Sequence, residues 1–261
     1  MTITKNGHTI DTLADWGKHA LPKSAAQWKD GASSKEVARY WLQFRTPALP
    51  PELEALLASN PTFAKVDQWH AEPEVRLPFD EFAGEPRNTD LLVNARDHHG
   101  AFLIAVEAKV NEPFGLRLSK TIAAAKGRQT RDPRSSGIAR AERLVHGLIG
   151  QKKLTDPAIA ELRYQLLTAA AGAIAAARAR AINRVVLLVQ ELVTPMSDDR
   201  SRAGNAHDLE QFVRLLSNGS VSSVEAGTLY GPFAVPGTML FEGAIPALYV
   251  GKIVSGTRSA V

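Results

Sequence analysis

Asn88-Thr89-Asp90-Leu91-Leu92-Val93-Asn94, then Asp97-His98-His99-Gly100, then Phe102-Leu103-Ile104-Ala105-Val106-Glu107-Ala108-Lys109-Val110 is the stretch that decides the fold. The two apolar runs predict strands at 89–96 and 101–110, and the Asp-His-His-Gly tetrad between them predicts a turn. Upstream, Glu74-Val75-Arg76-Leu77-Pro78-Phe79 alternates like a half-buried strand, which Pro78 ends early or confines to an edge because it brings no N–H to a ladder. Three consecutive strands with one short connection predict an antiparallel meander.

Charge inside such strands is informative, because a buried charge is costly unless it is paired or bound to a metal. Strand side chains alternate, so Glu107 and Lys109 point to one face, roughly 7 Å apart. Asp90 stands at the start of the preceding strand. Two carboxylates and an ammonium at one sheet face suit a divalent-metal site in a hydrolase. The competing reading is an ordinary same-face ion pair.

Working outward, Ser33-Ser34-Lys35-Glu36 has capping-box spacing and opens a helix through Leu42. Pro47, Pro50 and Pro51 end it, and Pro51-Glu52 starts a second helix through Leu57. Residues 116–153 are strongly basic, with two helical pieces around a polar loop at 132–137. Thr155-Asp156-Pro157 predicts a helix start that runs on through an Ala-rich stretch to near Ile182. Arg184–Gln190 reads as a buried strand, Asn205 as the cap of a helix carrying Leu209, Phe212, Leu215 and Leu216, and 247–250 as a late strand. With no repeat and no long linker, a single domain over 1–261 is expected.

The totals narrow the chemistry. A chain of 261 residues with 44% hydrophobic content holds a sizeable core. The absence of cysteine removes disulfides, zinc-thiolate sites and thiol nucleophiles, and fits a reducing compartment. The first eight residues carry no apolar secretion core, so a cytoplasmic location is expected. The net charge of +4 is modest, but the sequence pI of about 9.4 leans towards polyanionic partners. There is no phosphate-binding Gly-Lys loop and no nucleophile elbow around Ser135-Ser136-Gly137, and His98-His99 falls in a turn without metal-ligand spacing.

Helix, three strands, helix, strand, with Asp90 in the second strand and Glu107-x-Lys109 in the third, resembles the PD-(D/E)xK nuclease superfamily over about residues 34–193. Thr89 stands where the family motif usually has proline. The resemblance implies an α/β restriction-endonuclease-like core (α-β-β-β-α-β), with a mixed central sheet flanked by helices and with N- and C-terminal extensions, the latter at 194–261. It implies Mg²⁺, with Mn²⁺ as a substitute, held by Asp90, Glu107 and the Ala108 carbonyl, with Lys109 near the attacking water. Phosphodiester hydrolysis, in DNA, is the activity it implies. Hard oxygen ligands suit Mg²⁺, and such a metal makes water nucleophilic and stabilises the leaving oxygen.

Two acids compete for the third ligand position. Glu36 has a rival role as the capping partner of Ser33, and Glu74 has one as the outward residue of an alternating strand. Gln165 and Arg163 match auxiliary polar residues on the helix after the motif, with a solvated helix stripe as the rival reading. Lys120, Lys126, Arg128, Arg131 and Arg134 suit a phosphate-tracking arm to which Arg163 adds. Aromatics are absent from that stretch, which favours backbone contact over base reading. A homodimer stays open, since double-strand cutters of this fold often pair. The alternative is a catalytically inactive nucleic-acid-binding or partner-binding protein of the same fold.

Overall fold

The computed structural model describes residues 2–44, 49–82 and 84–256; Pro47 lies outside them. In chain order the elements are β1 (Thr2–Lys5), β2 (His8–Thr9), α1 (Leu13–His19), α2 (Ser33–Trp41), α3 (Pro51–Ala58), β3 (Gln68–Leu77), β4 (Arg87–Asp97) and β5 (Gly100–Lys109). Then follow α4 (Leu118–Arg131), α5 (Gly137–Leu148), α6 (Pro157–Ala160), α7 (Tyr164–Ala179), β6 (Arg184–Val193), α8 (Asp199–Leu216), β7 (Leu229–Phe233) and β8 (Ala247–Gly256). The strands form one mixed eight-stranded sheet in the order β2-β1-β3-β4-β5-β6-β8-β7.

The predicted meander is present: β3 pairs antiparallel with β4, and β4 with β5. The chain then crosses over through α4 to α7 and returns as β6, parallel to β5. Period-2 alternation divides the core between the two faces. On β5, Leu103 and Ala105 face a cluster built by α4 to α8, while Phe102, Ile104, Val106 and Ala108 face one built by α1 to α3. Burial on both faces is why β5 reads as an unbroken apolar run.

The β4–β5 turn is tied to the start of β6. Asp97 is 2% exposed; its Oδ1 accepts the His99 N–H at 2.9 Å and its Oδ2 the Ala64 N–H at 3.0 Å. Arg184 grips the same carboxylate with Nη2 at 2.7 Å and Nη1 at 3.0 Å, and donates to the Gly100 and Thr62 carbonyls. Gly100 adopts φ +111°, a conformation that a side chain disfavours, which is why glycine closes this turn.

Three sequence expectations need correction. The helix at Ser33 forms, but its N-cap is Ala32 and there is no capping box; Glu36 instead accepts the Gly31 N–H at 2.9 Å and pairs with Arg39 at 2.6 Å. The Ala-rich helix is not continuous from 157. Leu118 donates to the Leu162 carbonyl at 2.7 Å and Tyr164 to that of Leu116 at 3.0 Å, so an isolated bridge takes the backbone groups a through-helix would need. Asn205 is not a cap: Asp198 is, accepting from Arg200 and Ser201, and Asn205 lies inside α8 donating to the Glu112 carbonyl at 3.0 Å. The late strand expected at 247–250 forms and is longer: β8 runs parallel beside β6 through ten paired residues, so the C-terminal extension adds to the central sheet. Among the described residues no helix is long and apolar enough to cross a membrane.

Candidate active site

The site begins where the sheet loses its regularity. Trp69 and Ala71 of β3 face the α1–α3 side, whereas Val75 and Leu77 face the α7 side. The switch occurs at Glu74, whose φ of +51° is strained for a residue with a side chain. Register pairs Pro73 with Leu91 and Val75 with Thr89, which sets Glu74 opposite Asp90. On the other side of β4, ladder pairing with β5 stops at Leu91 and Val106. Beyond it side chains replace the backbone: Thr89 donates its hydroxyl to the Val106 carbonyl at 2.9 Å, and the Asp90 carboxylate accepts the Ala108 N–H at 2.7 Å.

The parted strands border an open cleft of about 780 Å³ lined by Glu74, Asn88, Asp90, Glu107, Lys109 and Gln165, among others. The expected Asp90, Glu107 and Lys109 therefore do share one cleft, together with Glu74 and Gln165. Gln165 reaches it because the break before α7 brings it into that helix's first turn, where it donates to Glu107 Oε1 at 2.6 Å. Lys109 Nζ lies 2.7 Å from the same oxygen. Arg87 pairs with Glu107 Oε2. Room for the Arg87 stem comes from Gly172 of α7, where a Cβ would stand 3.4 Å from Arg87 Cγ and 3.1 Å from Leu77 Cβ.

Other expected residues have different surroundings. Glu36 is held by Arg39 and does not line the cleft. Arg163 is committed to Asp208 at 2.7 Å and to the Gly115 carbonyl at 2.9 Å. Lys120, Lys126, Arg128, Arg131 and Arg134 are exposed.

Three neighbours were not anticipated: Arg87, Asn88 and Glu112. The signal for Arg87 and Asn88 is their position two to three residues before Asp90 on the same strand. Asn88 donates to the Glu74 carboxylate. Glu112 follows β5 in a short loop and accepts the N–H groups of Ser33, Val110 and Asn111.

Electrostatics sorts these groups. Burial pushes Glu74 up to about 7, helped by the Asp90 charge. Burial also raises Asp90, against the pull of Lys109 and Arg87. Lys109 falls to about 8 through burial, opposed by Asp90 and Glu112. Glu112 stays below its ordinary value because N–H donors and Lys109 outweigh its burial. Four carboxylates (Glu74, Asp90, Glu107, Glu112) and four cations (Lys23, Lys29, Arg87, Lys109) line the cleft; Arg87 and Lys109 lie among the acids, whereas Lys23 and Lys29 are exposed.

Among the described residues no group of three or more His, Cys, Asp and Glu side chains is arranged as a metal cage. Mg²⁺ does not require one, since it keeps waters and commonly takes one or two carboxylates. Glu74 and Asp90 have no ion-pair partner among the described residues, and burial raises both carboxyls even though Lys5 and Arg87 pull on the first and Lys109 and Arg87 on the second. As a donor set, these hard oxygens fit a divalent cation. Glu107 is more committed: its Oε1 is held by Lys109 and Gln165, while its Oε2 pairs with Arg87 but accepts no hydrogen bond among the described residues.

Residues 9–247 match a family described as a domain of unknown function, DUF6946, and the chain belongs to that family. No curated protein and no solved structure matches the chain.

Proposed function

We propose that this cleft is the active site of a divalent-metal-dependent phosphodiesterase that acts on DNA, built on a restriction-endonuclease-like core. The observation that carries the reading is the convergence of Asp90, Glu107 and Lys109 in one cleft where β4 and β5 part. The order α2, β3, β4, β5, α7, β6 supports the fold assignment, with β6 parallel to β5.

Asp90, Glu107, the Ala108 carbonyl and Glu74 are the residues that would hold the metal, with Asp90 and Glu74 the freest of any cationic partner. A bound Mg²⁺ supplies charge for a phosphate oxygen and a more acidic water. Lys109 is the candidate for handling the attacking water: lowered to about 8, its Nζ gives up a proton more readily than an exposed lysine does. Glu107 fixes that Nζ, Gln165 fixes Glu107, and Arg87 balances the buried carboxylate. The test is cleavage of DNA by purified protein with Mg²⁺ or Mn²⁺, compared with Asp90→Ala and Lys109→Ala; cutting that survives both changes excludes this site.

One observation favours a second reading, a non-cleaving binding protein of the same fold. Glu107 is already paired with Arg87 and Lys109, and its Oε1 also accepts from Gln165. That reading predicts salt-sensitive DNA binding with no metal-dependent cutting.

A further inference from the structure

A second cleft, of about 730 Å³, opens between α4, the 132–136 loop and the first turn of α5. Four arginines line it, and they are not equivalent. Arg140 is paired with Asp80 at 2.7 Å and stacks over Phe79, and Arg134 is paired with Asp132 at 3.1 Å. Arg128 and Arg131 have no carboxylate partner among the described residues. The cleft therefore carries about two uncompensated positive charges by this pairing count.

The backbone adds to that field. Ser136 caps α5 without a side-chain hydrogen bond, and the amide N–H groups of Gly137, Ile138 and Ala139 have no acceptor among the described residues. Helix N-termini carry partial positive charge and favour anions. Arg128 is drawn against this end: a Cβ at Gly137 would stand 3.2 Å from Arg128 Nη2 and 3.0 Å from Ala125 Cβ, so glycine is what permits the approach. A guanidinium lying on the positive end of a helix is electrostatically unfavourable until an anion sits between them. The Ser135 side of the loop and Tyr164 complete the lining with hydroxyl groups.

We infer that this cleft is a phosphate-binding site in which Arg128, Arg131 and the α5 N-terminus grip a single phosphate group. The tetrahedral, multiply charged oxyanion suits donors that converge from a guanidinium pair and a helix terminus. The cleft adjoins the candidate active site through consecutive residues, since Tyr164 lines the one and Gln165 the other. Only the bearer of the phosphate rests on the phosphodiesterase reading: a DNA strand, gripped at an internal phosphodiester or at a terminal phosphate.

The experiment measures binding in EDTA, without cleavage. Inorganic phosphate is titrated against chloride at equal ionic strength, followed by thermal shift, for the wild type, Arg128→Gln, Arg131→Gln and the exposed-charge control Arg200→Gln. Phosphate-specific stabilisation is expected in the wild type and the control, with affinity about tenfold weaker in each cleft variant. Duplex oligonucleotides with and without a 5′-phosphate are then compared by anisotropy. Tighter binding of the phosphorylated duplex, lost in Arg128→Gln, supports a terminal phosphate; equal binding of the two, weakened in Arg128→Gln, supports an internal one. Phosphate and duplex binding that are the same in the cleft variants as in the wild type overturn the inference. A chain that binds phosphate through Arg128 but never cuts DNA refutes the phosphodiesterase reading and leaves this site standing.

Discussion

Arg87 of β4 and Glu107 of β5 form a buried ion pair at the wall of the cleft, with side chains 13% and 1% exposed. Removing Arg87 leaves Glu107 Oε2 buried without a cation, since Lys109 and Gln165 both bind Oε1. Arg87→Met is therefore expected to destabilise the protein by about 3–5 kcal/mol, with part of the loss recovered in Arg87→Met/Glu107→Gln. Urea denaturation of the two variants checks this, and equal losses in both would refute the coupling.

Gln165 orients Glu107 from the first turn of α7 without carrying charge. Gln165→Ala is expected to weaken Mn²⁺ binding about 10–100-fold, as for other residues that orient a metal ligand, while the melting temperature changes little. Calorimetric titration with Mn²⁺ reads the effect; an unchanged affinity removes Gln165 from the site.

Gly172 lets α7 lie close to Leu77 and the Arg87 stem. Gly172→Ala brings a Cβ to 3.1 Å from Leu77 Cβ and is expected to cost about 1–3 kcal/mol by overpacking, in spite of alanine's better helix propensity. A stabilised variant would contradict the tight approach.

Asp97 binds Arg184 and two N–H groups, which hold its carboxyl below the ordinary 3.8 although burial pushes it up. A depressed folded pKa stabilises the protein above the unfolded value, and that stabilisation is lost as pH falls through the folded value. Acid titration should thus show stability declining below about pH 4, with a shallower decline in Asp97→Asn, which starts from a lower stability at neutral pH. The same acid slope in both proteins would rule Asp97 out.

Much of this arrangement is legible in the sequence where local chemistry and tertiary demand agree. The apolar runs around Leu91 and Ile104 and the Asp97–Gly100 turn specify the meander, and Glu107-x-Lys109 marks one face of it. Legibility fails where distant groups decide. The left-handed Glu74, the bridge that interrupts the helix before Tyr164 and the pairing of β8 with β6 depend on partners far along the chain. Arg87 looks like a surface residue until Gly172 makes room for it beside Glu107. Asn205 has the chemistry of a cap, but Asp198 caps the helix seven residues earlier.

The most direct measurement is the rate at which the purified chain cuts linear duplex DNA in Mg²⁺ and in EDTA, beside the near-isosteric Asp90→Asn with its fold checked by circular dichroism. Mg²⁺-dependent cutting is expected of the wild type, abolished by EDTA and reduced at least about a hundredfold in Asp90→Asn. Cutting that proceeds in EDTA, or at the wild-type rate in Asp90→Asn, would contradict it, as would a folded wild type that cuts no duplex or single-stranded DNA with either Mg²⁺ or Mn²⁺.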